Sequence, residues 1–260
     1  MELPLYIVNA FADAPFTGNP AAVCPIDTWL DDALMQAIAA QNNLAETAFV
    51  VPIGPGAYHI RWFTPAVEVP LCGHATLAAA HVLRAFRSEC ASRLRFASKS
   101  GDLFVDCGAS SYTLDFPSDP PRRAPLPDWF PACFGANPLE FHHAGYFLAV
   151  FDRQEIVAAL EPDFRQLGKL PRTCVIATAP GKSHDFVSRF FAPSEGIDED
   201  PVTGSAHCIL TPYWSRRLKK ARLSARQISS RGGELSCELS GDRALISGRA
   251  LTYSVGAIHV

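Results

Sequence analysis

The chain is poor in charge: Asp, Glu, Lys and Arg make up 19% of its 260 residues, against 48% hydrophobic. That balance excludes an intrinsically disordered chain, which needs high net charge and little apolar surface. The charges also nearly cancel, 23 basic against 26 acidic for a net charge of −3, so bulk charge does not support a nucleic-acid binder. No window is apolar for long enough to span a bilayer as a helix. The opening Met1-Glu2-Leu3-Pro4 lacks the basic n-region and apolar run of a secretory signal. The expectation is a cytoplasmic protein with neither membrane nor nucleic acid as partner. Close cysteine pairs are absent as well. The eight cysteines (Cys24, Cys72, Cys90, Cys107, Cys133, Cys174, Cys208, Cys237) contain no C-x-x-C, the spacing by which structural zinc sites declare themselves. Reduced, mostly buried thiols and no metal are expected.

What the sequence does have is one grammar used twice. Glu68-Val69-Pro70-Leu71-Cys72-Gly73-His74 runs into the apolar stretch from Ala75 to Leu83. Asp198-Glu199-Asp200-Pro201-Val202-Thr203-Gly204-Ser205 likewise runs into Ala206-His207-Cys208-Ile209-Leu210. In each, a glycine stands before a polar residue and an apolar helix. Glycine at such a turn lets the backbone approach a ligand, and the free N–H groups of the new helix attract an anion. With one turn in each half, the expectation is two half-sites facing each other across a cleft. Gly73 and Gly204, with Cys72 and Thr203 beside them, are the candidate substrate-binding positions.

In chain order, strands are predicted at Leu5–Phe11, Ala21–Cys24, Leu44–Val51, Tyr58–Thr64, Leu94–Phe96, Leu103–Val105 and Tyr112–Phe116. Leu30, Leu34 and Ile38 recur every four residues, predicting a helix capped by Asp27 or Thr28 and ending near Asn42-Asn43. Five prolines between Pro117 and Pro127 predict a stiff extended linker. Beyond it come strands at Tyr146–Val150, Thr173–Ala177 and Phe186–Phe191, the second glycine turn and its helix, then short strands at Gln227–Ser229, Gly233–Leu235, Ala244–Ile246 and Val255–Ile258. Residues 1–118 and 119–260 form the two expected halves, with the last strand free to return to the first. Two pseudo-repeated α+β halves, each a sheet around one apolar helix, is the architecture this pattern supports.

Asn9-Ala10-Phe11 with Gly18-Asn19-Pro20, Asn43-Leu44-Ala45-Glu46-Thr47-Ala48-Phe49, Arg61-Trp62-Phe63-Thr64-Pro65, Leu71-Cys72-Gly73-His74-Ala75-Thr76, Glu199 to His207 and Ser230-Arg231-Gly232-Gly233-Glu234 occur in that order. Together they resemble the phenazine-biosynthesis PhzF-like family from Tyr6 to about Ile258. The resemblance implies the diaminopimelate epimerase-like fold, with mostly antiparallel barrel-like halves. It also implies a cofactor-independent isomerase acting on a small carboxylate, as in isomerisation of a dihydro-hydroxyanthranilate, and a homodimer. The family's acid/base falls on Glu46, and its site partners on His74, Asp200 and Ser205. Racemases of this fold use a thiol at each turn. Cys72 stands at the first, but Asp200 to Gly204 contains none, so two-thiol racemisation is disfavoured.

Each assignment has a plainer competitor. A strand glutamate is usually ion-paired, but Glu46 sits among apolar neighbours, where desolvation would raise its pKa toward the range a proton shuttle needs. His74 could be a structural helix-start histidine, and Asp200 or Ser205 simple caps. His81, His207, Trp214 and Cys208 read as core, Arg61 as surface or salt-bridged, and Arg122-Arg123 and Arg216-Arg217 with Lys219-Lys220 as solvated charge. The competing functions are an epimerase or dehydratase using Cys72 with Asp200, and a non-catalytic metabolite-binding protein.

Overall fold

In the computed structural model, which describes residues 1–260, the chain divides after Phe116 and again after Leu245. The first unit is Met1–Phe116 with Ile246–Val260, and the second is Pro117–Leu245. The second unit thus ends at Leu245, and the whole stretch 246–260 belongs with the N-terminal residues.

The first unit contains β1 (Glu2–Ala10), β2 (Asn19–Pro25), α1 (Asp32–Asn42), β3 (Glu46–Gly54), β4 (Ala57–Phe63), β5 (Glu68–Val69), α2 (Gly73–Phe86), β6 (Arg93–Ser98), β7 (Gly101–Cys107) and β8 (Tyr112–Pro117). The C-terminal strand, Ala250–His259, pairs antiparallel with β1 along its full length, and β1 pairs antiparallel with β2. β2 and β3 then run parallel, with Ala21 opposite Glu46. Two parallel neighbours are covered on both faces, so β3 is buried from Thr47 to Val51 without alternation. That is why period-two reading places Glu46 on a face only nominally. Helix α2 packs against β1, β2, β3, β7 and the C-terminal strand. Ten of its 14 residues are buried, among them Leu77, Ala78, Ala79, Ala80 and Val82. A fully buried leucine or valine side chain contributes about 1.5–3 kcal/mol, so a helix apolar on every face is stable only when wrapped in this way. Helix α1 starts later than expected. Its N-cap is Asp31, which makes no side-chain cap bond, and Asn43 ends it in the left-handed conformation at φ 50°.

The second unit repeats the plan with more interruptions. Its elements are β9 (Arg122–Arg123), α3 (Trp129–Phe134), β10 (Glu140–His143), β11 (Phe147–Val150), α4 (Gln154–Ala158), α5 (Phe164–Leu167), β12 (Val175–Pro180), β13 (Phe186–Ala192), β14 (Ile197–Asp200), α6 (Gly204–Leu218), β15 (Arg222–Gln227) and β16 (Gly233–Ser240). β17 (Arg243–Gly248) and β18 (Ala250–His259), the C-terminal strand already described, complete the chain. β13 is the hub, antiparallel to β12 and β14 and parallel to β15. Helix α6 packs on β15 and β16.

The proline-rich stretch is not a linker. Ser118 N–H bonds Asp242 O, Ala124 N–H bonds Phe141 O, and β9 pairs with β10. One of its bonds also repairs α6. Pro212 lies inside that helix and has no N–H to give the carbonyl of Cys208 four residues back. The Asp119 N–H fills that acceptor at 2.9 Å. No helix is long and apolar enough to cross a membrane.

Candidate active site

β2 and β3 begin side by side because they are parallel, and α2 begins at the same end of the first unit. Three residues that open these elements meet there. His74, second in α2, has its Nε2 3.2 Å from a carboxylate oxygen of Glu46, the first residue of β3. Its Nδ1 lies 3.2 Å from Asn19 Nδ2, at the start of β2, and 3.5 Å from Cys72 Sγ. Asn19 is wholly buried, and His74 and Cys72 are only 4% and 6% exposed. The Glu46 side chain keeps 13% of its surface open.

Protonation follows from this packing. Burial drives the His74 pKa down to about 3, so the ring is neutral near pH 7 and carries one N–H. A carboxamide NH2 can only donate, so with Asn19 in this orientation Nδ1 accepts and the ring proton sits on Nε2, close to Glu46 Oε2 but outside hydrogen-bond geometry. A carboxylate beside a neutral imidazole and partly open to solvent can accept a proton and return it. Asn19 was not among the residues singled out from sequence. Its signal was the Gly18-Asn19-Pro20 turn, in which Gly18 has φ 74° and any Cβ would lie 2.4 Å from the Ala10 carbonyl oxygen. Only glycine holds that bend, and the bend delivers Asn19 to the cluster.

The second glycine turn forms its own constellation in the second unit. Asp200, which ends β14 and is 7% exposed, accepts a bond from the Thr203 hydroxyl. Thr203 is the N-cap of α6 by backbone geometry but makes no side-chain cap bond. Gln227, wholly buried at the end of β15, locks the bend. Its Oε1 accepts from Thr203 N–H at 2.9 Å, and its Nε2 donates to Asp200 O at 2.7 Å and Thr203 Oγ1 at 3.2 Å. His207 braces the same turn from inside α6. Its Nδ1 lies 2.8 Å from the Thr203 carbonyl, so that nitrogen donates and Nε2 is bare. Burial lowers its pKa to about 4 despite that bond. Gly204 opens α6 and Ser205 follows it. Ser205 Oγ is 3.2 Å from the Tyr146 hydroxyl, a second group that sequence reading missed.

The remaining side chains sort as follows. Trp214 is fully buried and donates to Thr178 Oγ1, His81 bonds Tyr112 and Thr252, and Arg61 pairs with Asp32 and Glu68. Cys208 is half-buried, and burial pushes its thiol up to about 12. All eight cysteines are free thiols.

The family model for phenazine biosynthesis-like proteins, PhzC-PhzF, matches residues 8–121 and 130–256. The chain belongs to the PhzC/PhzF family. An uncharacterized isomerase of Pseudomonas aeruginosa is 50% identical over 260 residues, covering 100% of both chains. The crystal structure of a PhzF-family phenazine biosynthesis protein from Enterococcus faecalis is 46% identical, covers 100% of both chains and superposes with a TM-score of 0.97. A hydroxyproline epimerase of Agrobacterium vitis, at 13% identity with 99% of this chain and 92% of that one covered, has a TM-score of 0.64 and shares the fold. This PhzC/PhzF chain therefore has the expected epimerase-like α+β fold, and its relatives carry the isomerase name.

Proposed function

We propose that the chain is a cofactor-independent isomerase in which Glu46 moves a proton within a small carboxylate-bearing substrate, cyclic or unsaturated. Glu46 takes the proton from one carbon, the electron pair delocalises into an adjacent π-system, and the same proton or its solvent-exchanged equivalent returns at another carbon. No oxidant or second substrate is needed for that balance. The observation that supports this reading is the Glu46–His74 contact at 3.2 Å, with His74 fixed from its far side by Asn19. A neutral Nε2–H can stabilise the carboxylate without competing for the proton.

Asp200 and Ser205 are assigned to hold polar substrate groups, and the N–H groups at Gly73 and Gly204 to hold its carboxylate. Isomerisation of a dihydro-hydroxyanthranilate is the reference reaction; the physiological metabolite is to be found by screening. A cytoplasmic homodimer completes the proposal, and sedimentation reads its oligomeric part. The test of the chemistry is deuterium uptake from heavy water into a panel of cyclic and unsaturated carboxylates. Uptake by the wild type that vanishes in Glu46→Gln is expected; equal uptake by both would overturn the assignment.

One observation favours a second reading, in which Cys72 acts in an epimerase or dehydratase: its Sγ lies 3.5 Å from His74 Nδ1. Exchange lost in Cys72→Ala and retained in Glu46→Gln would select it.

A further inference from the structure

Glu46, Cys72 and His74 offer a carboxylate oxygen, a thiol sulfur and an imidazole nitrogen, all within 4.8 Å of one another. These are the donor types zinc prefers. A tetrahedral Zn2+ with sulfur at about 2.3 Å and nitrogen or oxygen at about 2.0–2.2 Å sets its ligands roughly 3.3–3.6 Å apart. Cys72 Sγ already stands 3.5 Å from His74 Nδ1, whereas Glu46 Oε2 faces the other ring nitrogen, Nε2, at 3.2 Å, and only one of the two nitrogens can bind the ion. With Nδ1 as the ligand, the Glu46 carboxylate must swing toward that side of the ring, within reach of its three side-chain torsions, and the Asn19 amide must release Nδ1. Cys72 and His74 are fixed by the start of α2, and the low exposure of both limits competition from water.

We infer that Glu46, His74 and Cys72 form a binding site for Zn2+ whose occupation silences the acid/base group. Binding displaces the thiol proton of Cys72 to solvent and leaves a thiolate on the metal. Three protein ligands leave the fourth position to water. The lone pair that Glu46 would use to take a substrate proton is then committed to the ion. The site escapes sequence inspection because only Cys72-Gly73-His74 is local, while Glu46 lies on a different strand. The inhibitory half of this inference rests on the proposed role of Glu46, but the binding half does not.

The experiment uses the tag-free full chain, reduced and stripped with a chelator. Titration with ZnCl2 is expected to give one ion per chain, with proton release, and at least about tenfold weaker binding in Cys72→Ser and in Glu46→Gln. CoCl2 should produce a thiolate-to-cobalt absorption band in the wild type and none in Cys72→Ser. Affinity and band unchanged by Cys72→Ser, or no stoichiometric binding at all, would overturn the site. Should the variants fail to fold by circular dichroism, alkylation of wild-type Cys72 decides: Zn2+ must protect that thiol, and unprotected alkylation at saturation refutes the site. For the inhibitory half, Zn2+ must halve Glu46-dependent deuterium uptake at the concentration that half-fills the site. Undiminished uptake at full occupancy would refute inhibition, whereas absence of uptake without metal would count against the isomerase reading alone.

Discussion

His74 Nε2 faces a carboxylate oxygen of Glu46 at 3.2 Å, and the two residues come from different elements, the start of α2 and the start of β3. Neither side chain reaches the other by local geometry. The contact depends on β3 lying parallel to β2, with α2 packed against both. Shortening the carboxylate arm should break it without disturbing the strand. Glu46→Asp is expected to keep the fold within about 1 kcal/mol. It should lose turnover by roughly a hundredfold, since an ångström of misplacement at a reacting group costs that much. Deuterium uptake beside a urea melt measures both, and undiminished uptake would show that the carboxylate position is not what catalysis needs.

Asn19 sets the proton position on His74. Its NH2 donates to Nδ1, leaving the ring proton on Nε2, 3.2 Å from the Glu46 carboxylate. Asn19→Asp replaces that donor with an acceptor, so Nδ1 must now carry the proton and Nε2 becomes bare. Glu46 can then bond Nε2 only in its protonated form, which removes its capacity as a base. Imidazole nitrogen shifts in long-range proton–nitrogen spectra should show His74 switching from the Nε2–H to the Nδ1–H form, with uptake of deuterium falling alongside. A wild-type spectrum already in the Nδ1–H form would contradict the assignment.

These two residues mark the limit of what the sequence makes legible. The apolar run after Gly73 announces α2, because a helix without a polar face has to be enclosed. Glu46 stands out as a carboxylate in a hydrophobic strand. Asn19 does not, because an asparagine between glycine and proline is the usual composition of a turn, and its partner His74 is 55 residues away. Gln227 is hidden for the same reason, its partners Thr203 and Asp200 lying 24 and 27 residues back. β10 and β14 have only four residues each, too few for periodicity to register. The prolines from Pro117 onward suggested a linker, because composition shows stiffness but not that Asp119 N–H is needed by a carbonyl Pro212 leaves open.

Gln227 holds the Asp200–Thr203 bend by three hydrogen bonds and is fully buried. Gln227→Ala strands the Thr203 N–H and the Asp200 carbonyl away from water. Leaving buried donors and acceptors unpaired costs more than the bonds themselves contribute, so a loss of about 2–4 kcal/mol is expected. The urea midpoint should fall accordingly. A loss under about 0.5 kcal/mol would mean that water or a neighbouring side chain replaces the glutamine.

His207 makes stability depend on pH in a definite direction. Burial lowers its folded pKa to about 4 from 6.5, and its Nδ1–H is committed to the Thr203 carbonyl. Between about pH 4 and 6.5 the unfolded chain therefore binds a proton that the folded chain refuses, and stability falls as pH is lowered through that window. Above pH 6.5 the contribution is complete and flat. His74, lowered to about 3, acts in the same sense. His207→Asn places an amide N–H near the position of Nδ1 but cannot titrate. Its urea stability measured from pH 4.5 to 6.5 should therefore have a slope shallower than the wild type's by up to about 1.4 kcal/mol per pH unit, the value of one proton. Unchanged slopes would mean that His207 takes up its proton in the folded state, which would require the helix to open around it.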